Sequence, residues 1–162
     1  MMEQNKLQYV ISLDVFESRK QLSDQDLKLF NEAEKAMQNA YAPYSEFMVG
    51  AAVLLENGKI VTGNNQENAA YPSGLCAERV AVFYAASQYP GISVKVMAIV
   101  CNTQTGYPVS PCGACRQVIA EYEQLSGKGI RLIMGTPEGK IYTANSIETL
   151  LPFMFGKKHL KK

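Results

Sequence analysis

The chain has 162 residues and a formal net charge of +1 at pH 7, with 47% hydrophobic and 19% charged residues. That length fits one domain, and the composition is typical of a globular protein that can bury a core of its own. The near balance of 16 basic and 15 acidic residues argues against a nucleic-acid-binding surface and favours a small neutral substrate.

The first 22 residues carry no pattern that assigns them a structure. We therefore divide the chain into an N-terminal extension of unknown role at 1–22 and a single domain at 23–162. The polar stretch 1–6 lacks the apolar centre of a signal peptide, and no apolar run reaches the roughly 20 residues that cross a bilayer. We expect a cytoplasmic protein with no membrane partner, in which the four cysteines are thiols or metal ligands rather than disulfides.

The first half of the domain predicts a helix followed by a β-hairpin. Ser23 and the acidic residues after it are typical of a helix start. Apolar residues then recur at helical spacing, at Leu27, Phe30, Ala33, Ala36, Met37 and Ala40, and Pro43 is expected to end the helix. The apolar run 47–55 predicts a strand, the Asn-Gly turn that follows is typical of a hairpin, and 60–65 is the return strand.

The second half alternates helices with strands. We predict helices at 76–89, with Val80, Phe83 and Tyr84 on one side, at 113–125, with Val118, Ile119 and Tyr122 facing inward, and at 146–151. Strands are predicted at 94–101, 130–134 and 140–143. The resulting order, α-β-β-α-β-α-β-β-α, predicts the α/β class: a three-layer α-β-α sandwich around one mixed five-stranded sheet.

Three cysteines lie at the predicted starts of two helices and form a candidate zinc site. Cys112 and Cys115 are three apart, so one helical turn places both on one face, and Cys76 begins the preceding helix. Zinc accepts thiolate ligands, and a catalytic zinc site keeps three protein ligands with a fourth position for water. The positive end of a helix dipole also favours thiolates at these positions.

Glu78 and Arg79 add chemistry to this site. A carboxylate beside a zinc-bound water can take its proton and pass it on, which is the role we predict for Glu78. Residues two apart point about 200° apart in an ideal helix, so Cys76 and Glu78 converge only at an irregular helix start. Arg79 would offset the negative charge of three thiolates, although it can equally be a surface arginine of the helix.

A structural zinc site is the main alternative, and it would make the protein a non-catalytic binding module. Such a site is closed by four ligands, and the remaining thiol is Cys101. Because Cys101 ends the apolar strand at 94–101, we expect it in the core.

The two motifs resemble a known enzyme family. Cys-Ala-Glu followed by Pro-Cys-x-x-Cys is similar to the zinc-dependent nucleobase deaminase signature in its three-cysteine version. With "APYSEFMVGAAV", "NNQENAAYPSGLCAER", "SPCGACRQV" and "ETLLPFMFG", the sequence over about 24–157 resembles the small homotetrameric cytidine deaminases. The resemblance implies one Zn²⁺ per chain and zinc-dependent hydrolytic deamination of cytidine and 2′-deoxycytidine in pyrimidine salvage.

The resemblance also implies the roles of individual residues. Asn65 and Glu67 would hold the ribose hydroxyls and, two apart on a strand, could face one sugar while Gln66 points away. The other implied substrate contacts are Phe47 at the nucleoside pocket, Ala77 and Ser110 at the base, and Phe155 at a neighbouring subunit's site. Asn65 and Glu67 could instead be turn residues, and the two phenylalanines could be core residues. A cytosine-bearing antibiotic of the blasticidin type is an alternative substrate, and a nucleic-acid substrate is disfavoured by the charge balance.

Overall fold

A mixed β-sheet forms the centre of the computed structural model, which describes residues 5–160. Its strands are β1 (Asp14–Phe16), β2 (Val49–Leu55), β3 (Ile60–Asn64), β4 (Val94–Cys101), β5 (Arg131–Gly135) and β6 (Ile141–Ala144). Their spatial order is β1-β6-β5-β4-β2-β3; β4 and β5 are parallel, and the other neighbouring pairs are antiparallel. The β2–β3 turn is the expected hairpin, with Gly58 in the left-handed region at φ 80°.

Three α-helices cover the two faces of this sheet, so the α-β-α sandwich is confirmed. They are α1 (Asp24–Met37), α2 (Ala77–Gln88) and α3 (Gly113–Ser126). Phe30 of α1 belongs to the core on one face, whereas Val82 of α2 and Ile119 of α3 belong to the core on the other. No helix in the described range 5–160 is long and apolar enough to cross a membrane.

Hydrogen bonds explain where α1 begins and ends. The side chain of Ser23 accepts a bond from the backbone N–H of Asp26 at 3.2 Å, which caps the start. The helix ends at Met37, six residues before Pro43, which was expected to end it. The chain leaves the helix early because the N–H of Tyr41 donates to the carbonyl of Asn65 at 3.0 Å, which ties this segment to the end of β3.

The sixth strand comes from the extension at 1–22, of which residues 1–4 lie outside the described range. β1 pairs with β6 in the register Asp14↔Thr143, Val15↔Tyr142 and Phe16↔Ile141. The sheet therefore has six strands where five were expected. Three residues that are mostly exposed show no periodicity, and their pairing partner is more than 120 residues away, so this strand left no local signal.

The large aromatic residues of α2 do not lie on its buried face. Its buried residues are Ala77, Glu78, Ala81, Val82 and Ala85, whereas Phe83 and Tyr84 are 44% and 54% exposed. The reason is the close approach of α2 to Gly63 of β3, where an added Cβ would lie 2.5 Å from the backbone nitrogen of Ala81. Small side chains fit this contact, so the large ones lie on the outer face.

The other predicted helices need smaller changes. In α3, Ile119 is buried as expected, and Val118 and Tyr122 are half-buried against the same core. The closing helix expected at 146–151 is a single 3₁₀ turn, Ile147–Thr149, begun by the side chain of Ser146, which accepts from the N–H of Glu148.

Candidate metal centre and adjoining cleft

The three predicted ligand sulfurs lie together at the starts of α2 and α3. Cys76 is the residue that caps α2, Cys112 caps α3, and Cys115 lies in the first turn of α3. The Sγ atoms of Cys76 and Cys112 are 3.7 Å apart, those of Cys112 and Cys115 are 3.5 Å apart, and all three lie within 4.8 Å of one another. The irregular backbone expected at the helix start is present, because Cys76 is extended rather than helical.

These separations fit zinc. Zinc–sulfur bonds of about 2.3 Å in a tetrahedral site place the sulfurs about 3.8 Å apart. Cys101 is not part of this group: it is buried at the end of β4, as expected of a core residue, and its Sγ donates to the carbonyl of Thr103. Among the described residues, the cluster therefore offers three thiols, the number typical of a catalytic zinc site.

The cluster favours thiolate on Cys76. A hydrogen bond from Cys115 lowers the pKa of Cys76 to about 5; burial opposes this, and Arg79 adds to the lowering. The same bond, together with burial, raises the pKa of Cys115. The two thiols therefore share a proton, and a metal ion that binds both sulfurs must displace it.

Glu78 is a buried carboxyl group next to the cysteine cluster. It lies in the first turn of α2 with 5% of its surface exposed. Burial is the main cause that raises its pKa to about 7, and the charge of Cys76 adds to the effect. A carboxyl group that titrates near neutrality can both accept and release a proton at the pH at which proteins work.

Arg79 lies against the sulfurs rather than free in solvent. Its Nη2 atom is 3.6 Å from the Sγ of Cys76, and its Nε is buried without a hydrogen-bond partner among residues 5–160. The hydrogen bond to Cys76 raises the pKa of the guanidinium, so Arg79 remains charged.

A cleft of about 450 Å³ opens beside the cluster. Its lining includes Cys76 and Arg79 as well as Asn65 and Glu67, so the two residues expected to hold a sugar share this cleft with a metal ligand. Gln66, which was expected to point away, also borders the cleft.

The carboxylate of Glu67 is held in place by hydrogen bonds from Tyr44 and Ser45. Its carboxylate accepts bonds from the backbone N–H of Tyr44 at 2.9 Å, the N–H of Ser45 at 3.3 Å and the Ser45 hydroxyl. The bond from the Ser45 hydroxyl is the largest of several causes that lower the pKa of Glu67. The group is therefore ionised at neutral pH, with lone pairs left for hydroxyl donors.

The other four expected substrate contacts are not among the residues that line this cleft. Phe47 is half-buried against the core, Ala77 is buried at the start of α2, and Ser110 is half-buried before Cys112. Phe155 is 56% exposed and stacks on His159 with ring centroids 5.4 Å apart. Within its own chain, the structure does not bring Phe155 to the cleft.

Arg116 organises the loop before α3, and sequence reasoning missed it. Its guanidinium donates to the carbonyl of Pro111, the hydroxyl of Ser110 and the carbonyl of Leu150, each at 2.7 Å. One side chain thus joins the loop that carries Cys112 to the C-terminal segment. The available signal was its position in the first turn of α3, because helical side chains lean toward the N-terminus and can reach the preceding loop.

Comparisons with known proteins agree with this geometry. A family model described as the cytidine and deoxycytidylate deaminase zinc-binding region matches residues 23–126. The chain is 46% identical over 134 residues to a cytidine deaminase of Sporosarcina psychrophila, a match that covers 82% of this chain and 93% of that one. It is 42% identical to a cytidine deaminase of Halalkalibacterium halodurans, over 78% of this chain and 91% of that one. A crystal structure of cytidine deaminase from Burkholderia pseudomallei superposes with a TM-score of 0.71 at 38% identity, over 83% of this chain and 100% of that one.

Proposed function

The chain belongs to the cytidine and deoxycytidylate deaminase family, and on that premise we propose that it is a cytidine deaminase of pyrimidine salvage. Cytidine and 2′-deoxycytidine would each react with water to give uridine or 2′-deoxyuridine and ammonia. The observation that carries this proposal is the pairing of a three-sulfur cluster with the buried carboxyl group of Glu78 beside a cleft.

The residues divide the chemistry between them. Cys76, Cys112 and Cys115 would hold a zinc ion, which would supply Lewis-acid activation of water; the pKa of water falls from about 15.7 toward 7 in such sites. Glu78 would accept a proton from the attacking water and deliver it to N3 of the pyrimidine ring as the C4–O bond forms. Glu78 then takes the hydroxyl proton at C4 and gives it to the amino group, and the C4–N bond breaks to release ammonia. Arg79 offsets the negative charge of the sulfurs.

The cleft would hold the nucleoside. Backbone groups at Ala77 and Ser110 would orient the base, Phe47 would pack at the pocket, and Asn65 with Glu67 would bind the ribose hydroxyls. The ionised Glu67 carboxylate favours a hydroxyl-bearing sugar over the antibiotic alternative, because it offers acceptors only. Turnover of cytidine and of blasticidin-type compounds by the same preparation separates these substrates.

We also propose a cytoplasmic homotetramer. The outer face of α2 exposes Phe83 and Tyr84, and Phe155 is 56% exposed at the C-terminal side. Burying these aromatic side chains against other copies would remove apolar surface from water, and Phe155 would then complete a neighbouring subunit's site. A cluster of three ionisable thiols needs a reducing compartment. Sedimentation of the active enzyme tests the assembly, and a fully active monomer would remove Phe155 from the site.

Replacement of Glu78 by Gln tests the proposed mechanism. The variant keeps the size of the side chain but loses the proton carrier, so we expect one zinc per chain and a loss of turnover of at least about 10²–10⁴-fold. Glu121, an exposed residue of α3, provides the matched control, and Glu121→Gln should retain full turnover. Near-normal turnover in Glu78→Gln would refute this role.

A further inference from the structure

The pairing between β2 and β3 continues beyond Asn64, the last residue of β3, through the side chain of Asn65. Its backbone N–H donates to the carbonyl of Val49 at 3.1 Å. Its Oδ1 accepts from the N–H of Val49 at 2.8 Å, and its Nδ2 donates to the carbonyl of Phe47 at 2.8 Å. The side-chain amide thus takes the place of a peptide group of β3, because both present one acceptor next to a donor.

Asn102 repeats the same three bonds on the opposite edge of the strand, displaced by one residue. Its backbone N–H donates to the carbonyl of Met48 at 3.1 Å. Its Oδ1 accepts from the N–H of Met48 at 3.0 Å, and its Nδ2 donates to the carbonyl of Glu46 at 2.9 Å. Asn102 follows β4 directly, just as Asn65 follows β3 directly. Two asparagine amides therefore hold the segment 46–49 from both sides.

This segment needs such support because its backbone is strained. Glu46 has φ 57°, in the left-handed region that non-glycine residues seldom adopt. A conformation of this kind persists where surrounding bonds enforce it. The side chain of Asn102 donates to the carbonyl of Glu46 itself and accepts from the N–H of Met48. It therefore fixes the strained residue relative to the start of β2.

The clamped segment continues directly into the wall of the cleft. The N–H of Phe47 donates to the hydroxyl oxygen of Ser45 at 3.1 Å, and the Ser45 hydroxyl donates to Glu67. Ser45 and Glu67 both line the cleft, whereas Asn102 does not. The hydrogen bonds from Asn102 to the segment 46–48 therefore give a change at Asn102 a route to the cleft, although Asn102 does not line it.

We propose that Asn102 is a positioning residue for nucleoside binding, acting as the partner of Asn65 in this two-sided clamp. The inference rests on the proposed cytidine deaminase function. Asn65 has its own place in the cleft, so substitutions there would mix two effects. Asn102 isolates the clamp, and its loss should weaken binding of the nucleoside while leaving the zinc cluster and the proton carrier unchanged.

The test compares Asn102→Ala and Asn102→Asp with Asn145→Ala. Asn145 is an exposed asparagine next to the end of β6 that lies away from the cluster, and it serves as the control. Steady-state kinetics with cytidine, zinc content and hydrogen exchange of the Met48 amide are measured on each zinc-loaded protein. The exchange readout is independent of catalysis, because Asn102 Oδ1 is the acceptor for the Met48 N–H.

For Asn102→Ala we expect a KM for cytidine about three- to tenfold higher, the range for losing one net hydrogen bond. We also expect a kcat within about twofold of the wild type, unchanged zinc content and faster exchange at Met48. Asn102→Asp keeps the acceptor for the Met48 N–H but loses the donor to the Glu46 carbonyl, so it should restore Met48 protection and only part of the KM. An Asn102→Ala enzyme whose KM equals that of Asn145→Ala would overturn the proposal, as would an Asp variant whose Met48 amide exchanges as fast as that of the Ala variant. A wild-type enzyme inactive on cytidine would instead refute the proposed function, and the exchange of the Met48 amide would still test the clamp.

Discussion

The Nη2 atom of Arg79 lies 3.6 Å from the Sγ of Cys76, one helical turn away at the start of α2. This contact brings a permanent positive charge to Cys76, whose pKa is lowered to about 5 first by the hydrogen bond from Cys115 and further by Arg79. We propose that the contact has an electrostatic role: the guanidinium would offset part of the negative charge that three thiolates place on a bound zinc ion, which would keep the zinc a stronger Lewis acid.

Removal of this charge should slow turnover without removing the metal. For Arg79→Gln we expect full zinc content and a kcat lower by roughly 10- to 100-fold, since fixed charges in sites that exclude water contribute a few kcal/mol. Arg79→Lys should recover part of the rate because it keeps the charge. Metal analysis and kcat on the same samples check this, and Gln and Lys variants with equal rates would show that the charge is irrelevant.

We expect Arg116 to stabilise the folded protein through the planar shape of its guanidinium as well as through its charge. It donates to Ser110, Pro111 and Leu150 at once, which requires the planar fork of a guanidinium. Arg116→Lys is therefore expected to lose about 2–3 kcal/mol in free energy of unfolding, nearly as much as Arg116→Gln. Urea unfolding measures this loss. Full rescue by lysine would mean that the three bonds are not needed together.

The ion pair between Asp26 and Arg131 should make stability depend on pH. Burial alone would raise the pKa of Asp26, but two hydrogen bonds from Arg131, at 2.7 and 2.9 Å, bring it below the ordinary value of 3.8. A carboxyl group whose pKa is lowered by folding stabilises the protein above its ordinary pKa and loses that contribution as the pH falls through the lowered value.

We therefore expect Asp26→Asn to cost about 1–2 kcal/mol at pH 7, a figure reduced for the partly exposed arginine. The difference between variant and wild type should shrink progressively below pH 3.8. Denaturant unfolding at several pH values gives this difference directly. A difference that stays constant down to pH 2 would exclude the ion pair as its source.

The contact between α2 and β3 leaves no room for a side chain at Gly63. An added Cβ would lie 2.5 Å from the nitrogen of Ala81 and 2.8 Å from the carbonyl oxygen of Ala77. Gly63→Ala should lower stability by about 1–3 kcal/mol and weaken zinc binding, because the displaced helix α2 begins directly after Cys76. Gly106→Ala is the control, since its Cβ meets nothing within 4 Å. Thermal unfolding and zinc competition with a chelator measure both effects, and equal behaviour of the two variants would contradict the steric account.

Much of the candidate metal centre could be predicted from sequence because its three cysteines lie at helix starts, which short sequence patterns reveal. Cys76 and Cys112 stand at helix starts, and the bounds of α3 differ from the prediction by one residue. The strand at 94–101 was predicted with its observed bounds, since a continuous apolar run of that length specifies a buried strand.

What could not be predicted depends on contacts between distant segments. The inward face of α2 is set by its approach to Gly63, and apolar residues on both faces of the helix concealed that choice. The strand β1 exists through its pairing with β6, and the role of Asn102 depends on the backbone of Met48 more than fifty residues earlier. None of these relationships produces a local pattern.

The central claim, hydrolytic deamination at the three-cysteine zinc site, is tested most directly by the products formed from cytidine. Zinc-loaded protein should release one uridine and one ammonia for each cytidine consumed, lose this activity when a chelator removes the metal, and regain it when zinc returns. Folded protein that holds one zinc per chain and yet releases no ammonia from cytidine would contradict the account.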